Sequence, residues 1–481
     1  MVHAEFIGRE REINRLGRCK KEKHAQLVVV YGRRRVGKTY LVDSFFEDQF
    51  AFRMSGAYDQ PRNVQLKNFA VEMTAQTGVR CETPKDWTEA FLILRRYLSK
   101  QANSEKSVVF LDEMPWMDTA KSGFLSAFEW FWNDWGSKQQ QLIFIVCGSA
   151  TSWMVDHIAN NKGGLFNRQT CRLYLEPFSL YETEKYLKMR GMEWSRYEIA
   201  QCYMIMGGYP YYLSLLDPER SFSDNIDNLF FRKKAELWDE FEHLYRTLFS
   251  NSEPYIKVVE ALSRKRDGIG RKELAEQTGL PSNGKLSRIL SDLNDSGFIR
   301  INDYYGHKKR DCIYQLSDYY TLFYFRYIRD HYGKDPHFWK NMIDNPSRRV
   351  WEGLTFEQIC KDHMPQIKAK LGIAGVLSEE SSWFVKPDEE KGISDGAQID
   401  LLIDRRDQVI NLCEIKFSAK EFEIDKSYDA SLRNKIDAFV KATGSKKTIT
   451  LTMITTYGVK QNKYSGMIRS QVTLDDLFRR M

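Results

Sequence analysis

No window of the chain approaches ~18 consecutive apolar residues, which excludes a membrane-spanning helix. The opening stretch MVHAEFIGREREI holds no apolar segment of signal-peptide length, so the expectation is a soluble cytoplasmic protein that is not exported. The eight cysteines are scattered and form no C-x-x-C pair. Several sit in apolar runs such as IFIVCGSA, where a reduced thiol serves as a small core residue. Neither they nor the eight histidines show a ligand spacing such as H-E-x-x-H, so zinc chemistry is not expected. Internal repeats and low-complexity tracts are missing too. The charge balance leans only slightly one way, Lys+Arg 72 against Asp+Glu 65 for a net +7, which permits a nucleic-acid partner without requiring one.

What is present is enough for several cores. At about 150 residues per domain, 481 residues predict about three domains. A hydrophobic content of 42%, with 14% aromatic, excludes wholesale disorder. LVVVYG (27–32), SVVFLDE (107–113) and QLIFIVCGS (141–149) are continuous apolar runs of strand length, as expected for strands buried on both faces of a parallel sheet. Between them, VQLKNFAVEMTAQTG and FLSAFEWFWNDWG have helical spacing. This α/β layer runs to about residue 180, and helical segments continue to about 250.

From about residue 254 the pattern changes. PYIKVVEALSRKRDG, RKELAEQTGL and SNGKLSRILSDLNDSGF read as three helices, and two β-rich runs, FIRIND and DCIYQLS, flank YYGHKKR. Three helices and a hairpin form a winged-helix arrangement. A third region follows from about residue 335, with a helix (WEGLTFEQICKDHM), the strands QIDLLIDR and QVINLCEIKF, and a further helix. The expected domains are therefore 1–250, 251–334 and 335–481.

The chemistry starts at residue 32. Gly32, Arg33, Arg34, Arg35, Val36, Gly37, Lys38 and Thr39 match G-x-x-x-x-G-K-[ST], directly after the strand LVVVY and opening the helix TYLVDSFF. The glycines let the backbone turn its N–H groups toward phosphate oxygens at the positive end of that helix. Lys38 would reach the β- and γ-phosphates of ATP, and the Thr39 hydroxyl would bind Mg²⁺. The strand Val108–Leu111 ends in Asp112 and Glu113, where open α/β sheets place their ligands. Asp112 is expected to hold Mg²⁺ and Glu113 to orient and polarise the attacking water.

In order along the chain, Phe6-Ile7-Gly8-Arg9-Glu10-Arg11-Glu12, the GRRRVGKT loop, Leu111-Asp112-Glu113, Cys147-Gly148-Ser149, Glu176-Pro177-Phe178 and Gly207-Gly208-Tyr209-Pro210-Tyr211-Tyr212-Leu213 resemble the archaeal-type ATPase family within the AAA+/STAND group. The resemblance covers roughly the first half of the chain. It implies that the FIGRE-like segment lies near adenine and that Ser149 senses the γ-phosphate. It also implies that Arg168 acts on phosphate from a neighbouring subunit or domain, which leaves room for a homo-oligomer through the ATPase domain. The G-G-Y-P turn resembles a nucleotide sensor, and a rigid turn between helices accounts for it equally well.

In the third helix of the winged-helix region, Leu286, Ile289, Leu290 and Leu293 form a buried stripe, and Ser282 is the expected N-cap. Lys285 and Arg288 fall off that stripe, and the wing carries His307-Lys308-Lys309-Arg310. Such bases suit phosphate contacts with DNA. Protein docking suits the same module. Tyr304 and Tyr305 either stack on bases or cover the hairpin.

In the third region, period-2 geometry puts Glu414 and Lys416 on one face of their strand. If the two strands pair across the turn at 404–407, Asp400 points into the same site. Two carboxylates and a lysine so placed can hold a second divalent metal and assist an attacking water, with Lys416 as the catalytic lysine. The region resembles the PD-(D/E)xK nuclease-like domain that accompanies archaeal-type ATPases, and Glu357 on the preceding helix is the further acid that such folds often carry. One departure is that Gln398-Ile399-Asp400 stands where the family reads E-I-D. The expected architecture is an α/β P-loop NTPase with a parallel sheet and helical extension, then a winged helix, then an α/β restriction-endonuclease-like domain. The expected function is an ATP-hydrolysing switch coupled to DNA binding, with cleavage left open. The alternative is a non-nucleolytic signalling ATPase whose later domains hold protein partners.

Overall fold

The computed structural model describes residues 6–101, 106–159, 164–165, 167–249, 251–265, 268–302, 305–306 and 312–481. The chain divides into two compact units. The first comprises Met1–Pro177, Tyr209–Tyr211 and His243–Ser252, and the second comprises Phe178–Gly208, Tyr212–Glu242 and Glu253–Met481.

The first unit is built on a parallel sheet of β1 (Gln26–Tyr31), β2 (Phe52–Ser55), β3 (Ser107–Asp112), β4 (Leu142–Gly148) and β5 (Cys171–Tyr174), in the order β2-β3-β4-β1-β5. The three continuous apolar runs became β1, β3 and β4, the central strands. β4 is buried along its whole length, so period-2 alternation has no solvent face to report. β2 escapes the sequence reading because FRMS is four residues long and carries an arginine and a serine. One face is covered by helices Arg62–Thr77, Trp87–Lys100 and Phe124–Asp134, whose Phe69, Trp87, Phe91, Phe128 and Phe131 share a core with Phe144 of β4. Asp86 caps the middle helix by accepting from the Glu89 amide at 2.8 Å.

The second unit takes in the helices Leu180–Met189 and Arg196–Met206. Every residue from Ile199 to Met206 is buried. Such a helix needs neighbours all round. It finds them in Tyr319–Phe323 and Pro346–Asp362, which explains why this stretch groups with the C-terminal half of the chain.

Helices Glu253–Ser263, Arg271–Thr278 and Gly284–Asp295 are followed by β7 (Ile299–Asn302) and β8 (Ile313–Leu316), and with β6 (Ile269–Gly270) these strands form an antiparallel sheet in the order β6-β8-β7. The Leu286, Ile289, Leu290 and Leu293 stripe is buried. The cap of that helix is Asn283 rather than Ser282. Asn283 Oδ1 accepts from the Lys285 amide at 2.9 Å, while the Ser282 hydroxyl accepts from Arg271 Nε at 3.1 Å.

The C-terminal sheet has the order β13-β12-β11-β10-β9, from β9 (Ser378–Val385), β10 (Ala397–Arg405), β11 (Val409–Lys416), β12 (Thr448–Thr455) and β13 (Ser470–Thr473). β9, β10 and β11 are antiparallel, and β11, β12 and β13 are parallel. A parallel step needs a long crossover. Helix Lys426–Thr443 supplies it between β11 and β12 and packs Leu432, Ala438 and Phe439 on the sheet.

Candidate functional site

The P-loop joins β1 to helix Lys38–Phe46. Gly32 has φ 145°, and a Cβ there would lie 2.5 Å from the Leu175 carbonyl oxygen, so no other residue fits where β1 ends beside the chain leaving β5. Lys38 is buried, and its ammonium donates to the carbonyls of Gly32 (2.9 Å) and Arg33 (3.0 Å), which folds it into the loop. The Thr39 hydroxyl donates to Asp112 Oδ2 at 2.7 Å, so the end of β3 and the start of the helix meet where a phosphate-bound cation would sit. These groups fit ATP with Mg²⁺: the hydroxyl and carboxylate are hard oxygen donors, and the ammonium lies inside the phosphate cradle.

Asp112 Oδ1 accepts from the Glu113 amide at 2.9 Å. Glu113 has φ 45°, a left-handed conformation costing on the order of 1–3 kcal/mol in a non-glycine residue. Its carboxylate turns to Ser149 at the end of β4, whose hydroxyl lies 2.9 and 2.8 Å from the two oxygens and whose amide donates at 3.1 Å. Gly56, after β2, lets the backbones close, since a Cβ there would stand 2.5 Å from the Glu113 carbonyl oxygen.

Two tyrosines reach the loop that residue spacing alone did not identify. Arg33, 2% exposed, donates to the Tyr209 hydroxyl at 2.7 Å with its guanidinium 4.7 Å from that ring centre. Arg35, at φ 77°, lies 3.9 Å above the Tyr211 ring. Arg9 donates to the Val36 carbonyl at 3.1 Å, and Phe6 packs on Tyr40 at 5.5 Å, which brings the FIGRE segment against the same loop. Arg34 is half-buried.

Arg168 is not brought to this site. It is exposed and precedes β5, where Thr170 donates its amide to Leu27 near the start of β1. Leu27 is five residues before Gly32, roughly 16 Å along a strand.

In the second unit, Leu401 pairs with Cys413 across β10 and β11, so Asp400 and Glu414 follow as opposed positions on one face. Glu414 is 3% exposed. Its Oε1 accepts from Tyr428 (2.5 Å) and Lys416 (3.0 Å), and its Oε2 from Lys435 (2.7 Å). Burial pushes its carboxyl up, and the two lysines outweigh that and hold it below the usual range. Asp400 and Glu357 line a cleft of about 370 Å³ together with Lys361, Trp383 and Gln398, and Glu414 is not in that lining. Among the described residues, no group of three or more His, Cys, Asp or Glu is arranged for a metal ion. With its oxygens occupied by a phenol and two ammonium groups, Glu414 as held does not fit a divalent cation.

The wing residues His307–Arg310, and Tyr304, lie outside the described residues. Tyr305 neither stacks outward nor covers its own hairpin. It donates its amide to Ser382 of β9 at 3.1 Å and packs its ring 5.3 Å from Phe439. Lys285 and Arg288 are exposed, with Arg288 4.0 Å from Asp292.

Residues 6–216 match the family model described as an ATPase domain predominantly from Archaea. An uncharacterized protein of Methanocaldococcus jannaschii is 25% identical over 328 residues, covering 67% of this chain and 69% of that one. An uncharacterized ATP-binding protein of the same organism is 44% identical over 50 residues, which is 10% of this chain and 85% of the relative. The Walker-type ATPase of Pyrococcus abyssi shares the fold with TM-score 0.50 at 17% identity, over 67% of this chain and 96% of that one. Through residues 6–216 the chain is thus similar to ATPase domains found predominantly in Archaea.

Proposed function

We propose that the protein is an ATP-hydrolysing switch whose nucleotide state governs nucleic-acid binding by its second unit. The observation that carries the first half is the convergence of Lys38, Thr39, Asp112, Glu113 and Ser149 at the C-terminal ends of β1, β3 and β4. A bound ATP–Mg²⁺ would supply the γ-phosphoryl group and the cation that neutralises it. Lys38 would meet the phosphates, Thr39 and Asp112 would hold the cation, and Glu113 would orient the attacking water. Arg168 would act only on a nucleotide held by a neighbouring copy, because its own loop is too distant.

The nucleic-acid half rests on the three helices and small sheet of residues 253–316, which we read as a winged helix, and on the exposed Lys285 and Arg288. Replacing Lys285, Arg288, Lys308, Lys309 and Arg310 by alanine should weaken DNA binding for all sequences alike and flatten the salt dependence by up to ~5 phosphate contacts. An unchanged slope in fluorescence anisotropy would remove DNA from the reading. The C-terminal domain, read as nuclease-like, would then serve as a scaffold for a protein partner. This second reading has its own support in the filled donor shell of Glu414. Plasmid cleavage with Mg²⁺ or Mn²⁺, lost in Asp400→Ala, favours the nuclease; no cleavage favours the scaffold.

A further inference from the structure

Two thiols meet on the flank of the parallel sheet. Helix Glu10–Lys21 buries only Leu16 and Cys19 of its 12 residues, one turn apart on one face. The edge strand β5 buries only Cys171 and Leu173 of its 4 residues, again on one face. The helix packs on β5, so these are the residues that meet across the contact. The Cys19 thiol donates a hydrogen bond to Cys171. That bond pushes Cys19 up and draws Cys171 down to about 7, against its burial and with help from the Arg15 guanidinium, one turn before Cys19. Cys171 is therefore in part thiolate at neutral pH, beside a partner that stays protonated. Neither sulfur is deep: Cys171 is 4% exposed and Cys19 5%, and their chain neighbours Arg18, Lys20 and Thr170 are exposed. Cys147, Cys202 and Cys360 differ, being fully inaccessible thiols that burial holds above the ordinary range. Both partners also lead to the phosphate loop. The helix starts directly after Arg9, which donates to the Val36 carbonyl. β5 runs on to Leu175, whose amide donates to Tyr31 at 2.8 Å and whose carbonyl oxygen stands against Gly32.

We propose that Cys19 and Cys171 are a redox dithiol that closes to a disulfide under peroxide and ties together the two flanks of the phosphate loop. The Cys171 thiolate attacks one peroxide oxygen and the O–O bond breaks. The departing hydroxide takes up the proton that Cys171 released and becomes water, leaving Cys171 as a sulfenic acid. The Cys19 sulfur then attacks the Cys171 sulfur, its proton passes to the departing hydroxyl, the S–O bond breaks and a second water leaves. Two thiols are oxidised and one peroxide is reduced to two waters. With the flanks joined, the loop opens less readily and nucleotide exchange slows. That consequence rests on the reading of the loop as an ATP site, whereas the crosslink itself does not.

The test treats the full-length chain with hydrogen peroxide, alkylates the remaining thiols and maps disulfides by mass spectrometry of a non-reduced digest. The expected product joins the peptide carrying Cys19 to the one carrying Cys171 and is reversed by dithiothreitol. In Cys19→Ser, dimedone should instead trap Cys171 as its sulfenic acid, and Cys171→Ser should give neither product. Circular dichroism reports whether each variant is folded, and Cys19→Ala and Cys171→Ala replace any serine variant that is not. Release of a fluorescent ATP analogue should slow at least ~10-fold in oxidised wild type and stay unchanged in peroxide-treated Cys19→Ser. Oxidation at Cys81 or Cys312 with Cys19 and Cys171 still reduced overturns the proposal. A mapped Cys19–Cys171 disulfide with unchanged release of bound analogue overturns the tie between the flanks. If the analogue binds neither form, the ATP reading fails, and the map still decides the dithiol.

Discussion

Lys38 donates to two carbonyls of its own loop. An ammonium buried at 6% exposure has to be hydrogen-bonded, and the Gly32 and Arg33 carbonyls satisfy it. Lys38→Ala should weaken ATP binding by roughly 10- to 100-fold, the worth of a lost charge-assisted hydrogen bond. Glu113→Gln should bind ATP normally and hydrolyse it roughly 10²- to 10⁴-fold more slowly, because a neutral amide accepts no proton from water. Isothermal titration and single-turnover hydrolysis check the pair of variants, and normal turnover in Glu113→Gln would remove it as the base. Tyr209 and Tyr211 act on the same loop through its arginines. The Arg33 guanidinium donates to the Tyr209 hydroxyl, which ties the loop to the segment that carries that tyrosine.

Helix Pro346–Asp362 organises much of the second unit, and it does so with a buried ion pair. Arg348 donates to Glu352 at 2.8 Å one turn later, Gln201 of helix Arg196–Met206 donates to the same carboxylate at 2.8 Å, and the guanidinium lies 4.2 Å from the Trp339 ring centre. Both charged residues are nearly inaccessible, at 4% and 5%. Removing one partner leaves an uncompensated buried charge, so Glu352→Ala should cost about 3–5 kcal/mol. Removing both charges with residues of similar volume, as in Arg348→Met with Glu352→Leu, should cost far less. Urea unfolding of the single and double variants decides this; equal losses would mean that the packing of the helices, not the charge, sets the cost. The hairpin makes a different attachment. Tyr305 ties it to the edge strand β9 by a backbone hydrogen bond to Ser382, which covers β9 at that point, and packs its ring against Phe439 of helix Lys426–Thr443.

Acid should destabilise the second unit through His363. Its Nδ1 lies 2.8 Å from the Ile359 carbonyl oxygen, which can only accept, so Nδ1 carries the proton and Nε2 accepts the Leu180 amide at 3.0 Å. A second proton on Nε2 would face that N–H. Burial accordingly holds the pKa of His363 below the ordinary value near 6.5. As pH falls, the unfolded chain takes up this proton before the folded one does. The contribution is therefore fully present above about pH 6.5 and is lost on acidification, by at most about 1.4 kcal/mol per pH unit. The urea midpoint should fall more steeply between pH 7.5 and 5.5 in wild type than in His363→Gln, and parallel curves would exclude this histidine as the cause.

The convergence of Lys38, Thr39, Asp112 and Glu113 was legible in the sequence because its signals are contiguous. A strand, eight loop residues and a helix lie within one short stretch, and two acids end an apolar run, so local backbone geometry already implies where they point. The central strands were legible for the same reason, as runs buried on both faces. Short β2 carries no such run. Pairings between distant segments were not legible. Tyr209 lies 176 residues from Arg33, and Tyr305 meets Ser382 and Phe439, none of which any periodicity links. The C-terminal cluster shows the division clearly. Alternation along β11 dictates that Glu414 and Lys416 share a face, because side chains repeat every two residues in a strand. Only the packing of helix Lys426–Thr443 on the sheet brings Tyr428 and Lys435 to Glu414, because which face a crossover helix covers depends on its docking, not on its own sequence spacing.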